Sequence, residues 1–93
     1  MNENLRETLI ILQEECAEAI VDISKCFRFG PDQIMSGQEL SNIQRLEKEL
    51  GDLQAMIELL TDLDVGVSID GIEQAKKAKF EKLKCWSNLN INK

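Results

Sequence analysis

Only two places in this chain force a helix to stop. Its single proline, Pro31, and four of its five glycines fall within "RFGPDQIMSG", with Gly30 and Gly37, and "DLDVGVSIDG", with Gly66 and Gly71. Elsewhere apolar residues recur in steps of three and four, as a helix with a buried face requires. The joints divide the 93 residues into three predicted helices, over about 3–28, 39–63 and 70–86. Ser41 with Gln44 offers the second helix a later start, and Asp70 with Glu73 resembles a capping box for the third. "PDQIMSGQEL" has room for a short fourth helix, and the tail "NLNINK" (residues 88–93) is expected to fray. The expected fold is all-α. It is a helical bundle of three long helices in a single domain, residues 1–93, and so short a chain needs oligomerisation to complete its core.

The first helix carries its main apolar stripe at Leu5, Leu9, Leu12, Cys16, Ile20, Ile23 and Phe27. At about 100° per residue, Glu14, Glu15, Glu18, Asp22 and Lys25 gather on the far side. Alone, that pattern reads as a hydrated face. Ile10, Ala17 and Val21 form a second apolar strip beside the carboxylates, however, and Ile11 falls within their arc. The second helix has a stripe at Leu46, Leu50, Leu53, Ile57 and Leu60, and another at Glu49, Asp52, Met56, Leu59 and Leu63. Its acids stand where a core stripe should continue. Burying ionised carboxylates without partners costs several kcal/mol each, so lysine, arginine or a metal ion must compensate them. Otherwise the stripe leaves the core at that turn and the acids are wet.

Glu15 and Glu18 are spaced i, i+3, as are Glu49 and Asp52, so each pair projects two oxygen ligands from one helix face. The chain has no histidine, and Cys16, Cys26 and Cys85 lack metal-binding spacing, so an all-oxygen site would select Mg²⁺ or Mn²⁺. Three cysteines without a pairing pattern suit reduced thiols, with Cys16 in the core. A net charge of −6 argues against nucleic acid as the main ligand. No apolar run is long enough to span a membrane, and the polar start "MNENLRETL" is unlike a signal peptide, so a cytoplasmic protein is expected.

"EECAE" (Glu14 to Glu18) followed by "ELGD" (Glu49 to Asp52) resembles the EExxE and ExxD motif pair of the MazG-like, all-α nucleoside triphosphate pyrophosphohydrolases. "SKCFRFG" and "RLEKELGDL" are similar to short members encoded by bacteriophages, which would place the protein in infected host cytoplasm. The resemblance covers most of residues 9–63. It implies Mg²⁺-dependent cleavage of (deoxy)nucleoside triphosphates to a monophosphate and pyrophosphate, by a homodimer or dimer of dimers. Glu15, Glu18, Glu49 and Asp52 would be the metal ligands, Glu14 would ligate a further ion or orient the attacking water, and Glu14 and Glu15 would be the catalytic pair. A phosphoribosyl-ATP pyrophosphohydrolase-like enzyme is a second reading. A non-enzymatic acidic helical module is a third.

A phosphate chain also needs cations. On the third helix Ile69, Ile72, Phe80, Leu83 and Trp86 mark the expected buried face, with Lys76 and Lys79 in the same arc. "KAKFEKL" loosely resembles the family's late N-x-K-F-x-x-R segment, placing Lys79 at its lysine; Lys77 and Leu83 stand at its asparagine and arginine, and Lys82 adjoins the latter. Lysine stems lying along apolar surface would account equally for Lys76. Lys25 and Arg28 lie beyond the glutamates, where an extended triphosphate could reach them, although Arg28 could instead pair with Asp22 or Asp32. Phe29 is a candidate for stacking on a base. Asn42 could read a base edge or begin a helix.

Overall fold

The computed structural model describes residues 1–93 and is all-α. Helix α1 spans Glu3–Phe29, α2 spans Asn42–Asp62 and α3 spans Ile69–Trp86. The only extended pairing is an isolated bridge between Ile34 and Ser41. No helix is long and apolar enough to cross a membrane. The chain divides into two compact units, Met1–Leu63 and Asp64–Lys93.

In the first unit, α1 and α2 pack side by side as an antiparallel hairpin. The Asn2 side chain caps α1 by accepting from the Leu5 N–H at 2.8 Å. At the other end Gly30, with φ +98°, donates its N–H to the Cys26 carbonyl at 3.0 Å. That backbone conformation favours glycine and turns the chain out of the helix. Residues 31–41 are turns and the one bridge, so no fourth helix forms there. Helix α2 starts later than residue 39 because Ser41 and Gln44 form a reciprocal capping box: the Gln44 N–H donates to Ser41 Oγ, and the Ser41 N–H donates to Gln44 Oε1. Asn42, only 1% exposed, donates from Nδ2 to the Gly30 carbonyl at 2.9 Å. The Lys25 carbonyl lies at 3.5 Å from the same nitrogen. This side chain therefore ties the start of α2 to the end of α1, a fold role rather than a base-reading one.

The packed face of α1 is not the predicted apolar stripe. Ala19 and Asp22 are buried against α2, with Leu5, Thr8, Leu12, Glu15 and Cys26 half-buried on the same line. Those residues step by three and four along the helix, as one contact seam requires. Leu9, Cys16, Ile20, Ile23 and Phe27 are exposed instead, Ile20 by 67% and Phe27 by 87%. The expectation that Cys16 sits in the core is thereby corrected. On α2, Leu60 is buried and Leu46, Glu49, Leu53, Met56 and Ile57 are half-buried, while Leu50 and Leu59 stay exposed. The inner line of α2 thus runs between the two stripes read from its sequence. The reason is geometric: one neighbouring helix covers a narrow seam, and both helices carry apolar surface wider than that.

In the second unit, Ser68 caps α3, its Oγ accepting from the Gly71 N–H at 3.0 Å. The predicted Asp70–Glu73 box does not form, because the helix already begins at Ile69. Asp70 then sits in the first turn, where its charge suits the helix dipole, and Glu73 pairs with Lys76 at 2.8 Å. Phe80 and Leu83 are half-buried, but Ile69, Ile72 and Trp86 are exposed, contrary to the sequence reading. Residues 88–93 form no regular secondary structure, and the Lys93 ammonium lies 5.5 Å from the centre of the Phe80 ring.

Candidate metal centre

Antiparallel packing sets the middle of α1 against the middle of α2. Glu15 comes from α1, and Glu49 and Asp52, one turn apart, come from α2. One carboxylate oxygen from each of the three lies within 4.8 Å of the others. Oxygens bound to one Mg²⁺ or Mn²⁺ at about 2.1 Å are about 3 Å apart when adjacent and about 4.2 Å apart when opposite.

The electrostatics of the cluster are unfavourable without a cation. Glu49 Oε2 is buried with no hydrogen-bond partner. The Glu49 carboxyl is pushed up to about 7, first by the hydrogen bond that its protonated form would make to Glu15, then by burial, then by the negative charges of Glu15 and Asp52. The nearest lysine is a weak counter-charge: Lys48 Nζ lies 3.7 Å from Asp52 in an exposed i, i+4 pair, an arrangement worth about 0.3–0.5 kcal/mol. All-oxygen donors, crowded negative charge and an orphaned buried oxygen fit a hard divalent ion.

Of the other predicted ligands, Glu18 stands outside the trio. It is exposed and lines an adjacent cavity of about 230 Å³ with Asp22, Leu40, Arg45, Lys48 and Glu49. Glu14 is also exposed and outside the trio. Arg28 pairs with neither Asp22 nor Asp32; its guanidinium lies over the Phe29 ring, 4.8 Å from the centroid. Asp22 pairs instead with Arg45 across the hairpin, Nε to Oδ1 at 3.8 Å. Lys25 is half-buried on α1, three residues beyond Asp22, and its backbone carbonyl faces the Asn42 amide. Lys76, Lys79 and Lys82 belong to α3 in the second unit. There the Lys76 ammonium is taken by Glu73, whose carboxyl it holds below the ordinary value by hydrogen bond first and charge second.

Sequence reasoning grouped Asp22 with the acids of α1 but missed Arg45 and Lys48 as their neighbours. One signal was available. Arg45 precedes Glu49 by four residues, and so shares its helix face.

Comparison with protein-family models, with characterised proteins and with solved structures finds no match to this chain. The functional reading therefore stands on the residues and their geometry.

The state of Glu49 gives a pH prediction. Its carboxyl lies above the unfolded value, so the stability this contributes is fully present below about 4.5 and is lost as pH rises through about 7. Metal binding has the opposite sign, because the ion competes with that proton. Mn²⁺ affinity should rise up to about tenfold per pH unit below 7 and level off above it. Titrations at pH 5.5, 6.5, 7.5 and 8.5 check this. In Glu49→Gln, the part of the pH slope due to Glu49 should vanish.

Proposed function

We propose that the protein is a divalent-cation-dependent pyrophosphohydrolase of (deoxy)nucleoside triphosphates, in which Glu15, Glu49 and Asp52 hold Mg²⁺ or Mn²⁺. The observation that carries this reading is the convergence of three carboxylates from two helices, with one Glu49 oxygen buried and lacking a hydrogen-bond partner. It agrees with the resemblance of "EECAE" and "ELGD" to the MazG-like motifs. A bound ion would polarise a phosphoryl oxygen and lower the pKa of water.

The chain's own carboxylates then have separate tasks. Glu15 and Asp52, with Glu49, would hold the ion that binds the phosphates. Glu14 or Glu18, both exposed on α1, would accept a proton from the attacking water. The water oxygen bonds to phosphorus, and a P–O bond of the α–β bridge breaks. The bridging oxygen keeps the electron pair, and pyrophosphate and the monophosphate separate.

The active form is a homodimer or a dimer of dimers. Ile20, Ile23 and Phe27 on α1, with Leu50 on α2, are exposed in the single chain. Along α2 an open groove of about 480 Å³ is lined by Ile43, Leu46, Leu50 and Gly51. A second copy, carrying the same apolar faces, completes a bundle from two hairpins.

The test is a panel of nucleoside triphosphates with and without Mg²⁺, read by product. Pyrophosphate with a monophosphate, released only with the metal, is expected. Orthophosphate would mean cleavage at the terminal phosphate and a different mechanism. An acidic interaction module would release neither.

A further inference from the structure

The cavity beside the three carboxylates contains a cation that neither the metal site nor the hairpin packing fully uses. Arg45 projects from α2 one turn before Glu49, and both line the cavity. Its Nε is buried without a hydrogen-bond partner, because Asp22 Oδ1, at 3.8 Å, is beyond hydrogen-bond reach. Its Nη1 donates to Gln38 Oε1 in the loop before α2. The Arg45 side chain is nevertheless 29% exposed, whereas that of Asp22 is only 8% exposed. The guanidinium thus lies between the buried Asp22 carboxylate and the Gln38 amide, and the side chain lines the cavity. Lys48, three residues on, adds an exposed ammonium to the same wall.

The size of the space limits what can enter. About 230 Å³ is below the roughly 300–1,000 Å³ of drug-sized sites, so it suits phosphate groups and not a whole nucleotide. Its charge adds a second limit. Glu18, Asp22 and Glu49 face Arg45 and Lys48, so a free anion gains little there. An anion already joined to a cation at Glu49 gains two charge-assisted donors without meeting uncompensated carboxylates. Arginine, with its planar fork, suits two phosphate oxygens at once.

We propose that Arg45, positioned by Asp22 and assisted by Lys48, grips the terminal phosphates of the polyphosphate chain, the part that departs as pyrophosphate. This inference rests on the pyrophosphohydrolase reading. It assigns the phosphate clamp in this cavity to Arg45 and confines recognition there to the polyphosphate, leaving base and sugar outside it.

The experiment compares wild type, Arg45→Ala and Arg45→Lys by calorimetric binding of inorganic pyrophosphate in Mg²⁺, with a Mn²⁺ titration and triphosphate kinetics beside it. Arg45→Ala should weaken Mg²⁺–pyrophosphate binding at least tenfold and raise KM for triphosphate by a similar factor, with Mn²⁺ affinity within twofold of wild type. Arg45→Lys should fall between. Since Arg45→Ala strands the buried Asp22 charge and can unfold the hairpin, Asp22→Asn/Arg45→Gln removes both charges together; the same tenfold loss is expected. Pyrophosphate binding within twofold of wild type in a folded variant overturns the clamp alone. Wild-type protein that binds no divalent ion overturns the pyrophosphohydrolase reading, and the clamp with it.

Discussion

Glu49→Gln and Asp52→Asn should each lower metal-dependent pyrophosphate release by about a hundredfold or more while leaving the helices intact. The magnitude follows from their position. Losing a residue that merely orients a metal ligand costs roughly 10- to 100-fold, so losing a ligand costs at least as much. The two variants should differ in stability. Glu49 is half-buried, holds an orphaned oxygen and is crowded by Glu15 and Asp52, so a neutral amide of the same shape relieves repulsion. The metal-free Glu49→Gln protein should melt above wild type at pH 8, where the native carboxyl is ionised. Asp52 is about half exposed and already paired with Lys48, so Asp52→Asn should move the melting point little. Circular dichroism melts and product assays on the same preparations check both halves. Full activity in the two variants would remove the cluster from the chemistry.

Ile20→Glu is expected to dissociate the assembly and lower stability by several kcal/mol per chain. In an isolated chain this residue is 67% exposed, and such surface substitutions ordinarily shift stability by less than about 0.5 kcal/mol. If a second hairpin covers Ile20, the same change buries an unpaired carboxylate in an apolar seam. The predicted effect is therefore several times larger than a monomer would give, and it depends on protein concentration. Sedimentation of wild type and variant across a hundredfold range of concentration separates the cases. A wild-type monomer throughout, with Ile20→Glu as stable as wild type, would contradict the paired-hairpin assembly.

The residues disclosed the fold unevenly, for physical reasons. Helix number and joints were legible because Pro31 and the clustered glycines act locally. The Ser41–Gln44 box was legible for the same reason. Convergence of Glu15 with Glu49 and Asp52 was legible from acids interrupting a core stripe. Which face of α1 packs on α2 was not. Apolar spacing reports that a surface is to be covered, and it carries no information about what covers it. Leu9, Ile20 and Phe27 have the same three-and-four spacing as the residues of the inner line. Glu18 stands three residues from Glu15, the same spacing that keeps Glu49 and Asp52 together, yet it lines the neighbouring cavity instead of joining the trio. Asp22 was read with the hydrated acids because its partner, Arg45, lies 23 residues away across a loop whose course no local pattern reveals.

The most direct test is a Mn²⁺ titration at pH 8, followed by the electron paramagnetic resonance of the free ion, on wild type and on a Glu15→Gln/Glu49→Gln double variant. Saturable binding by wild type and its loss in a still-helical double variant are predicted. Binding of equal strength in both proteins, or in neither, would contradict the account.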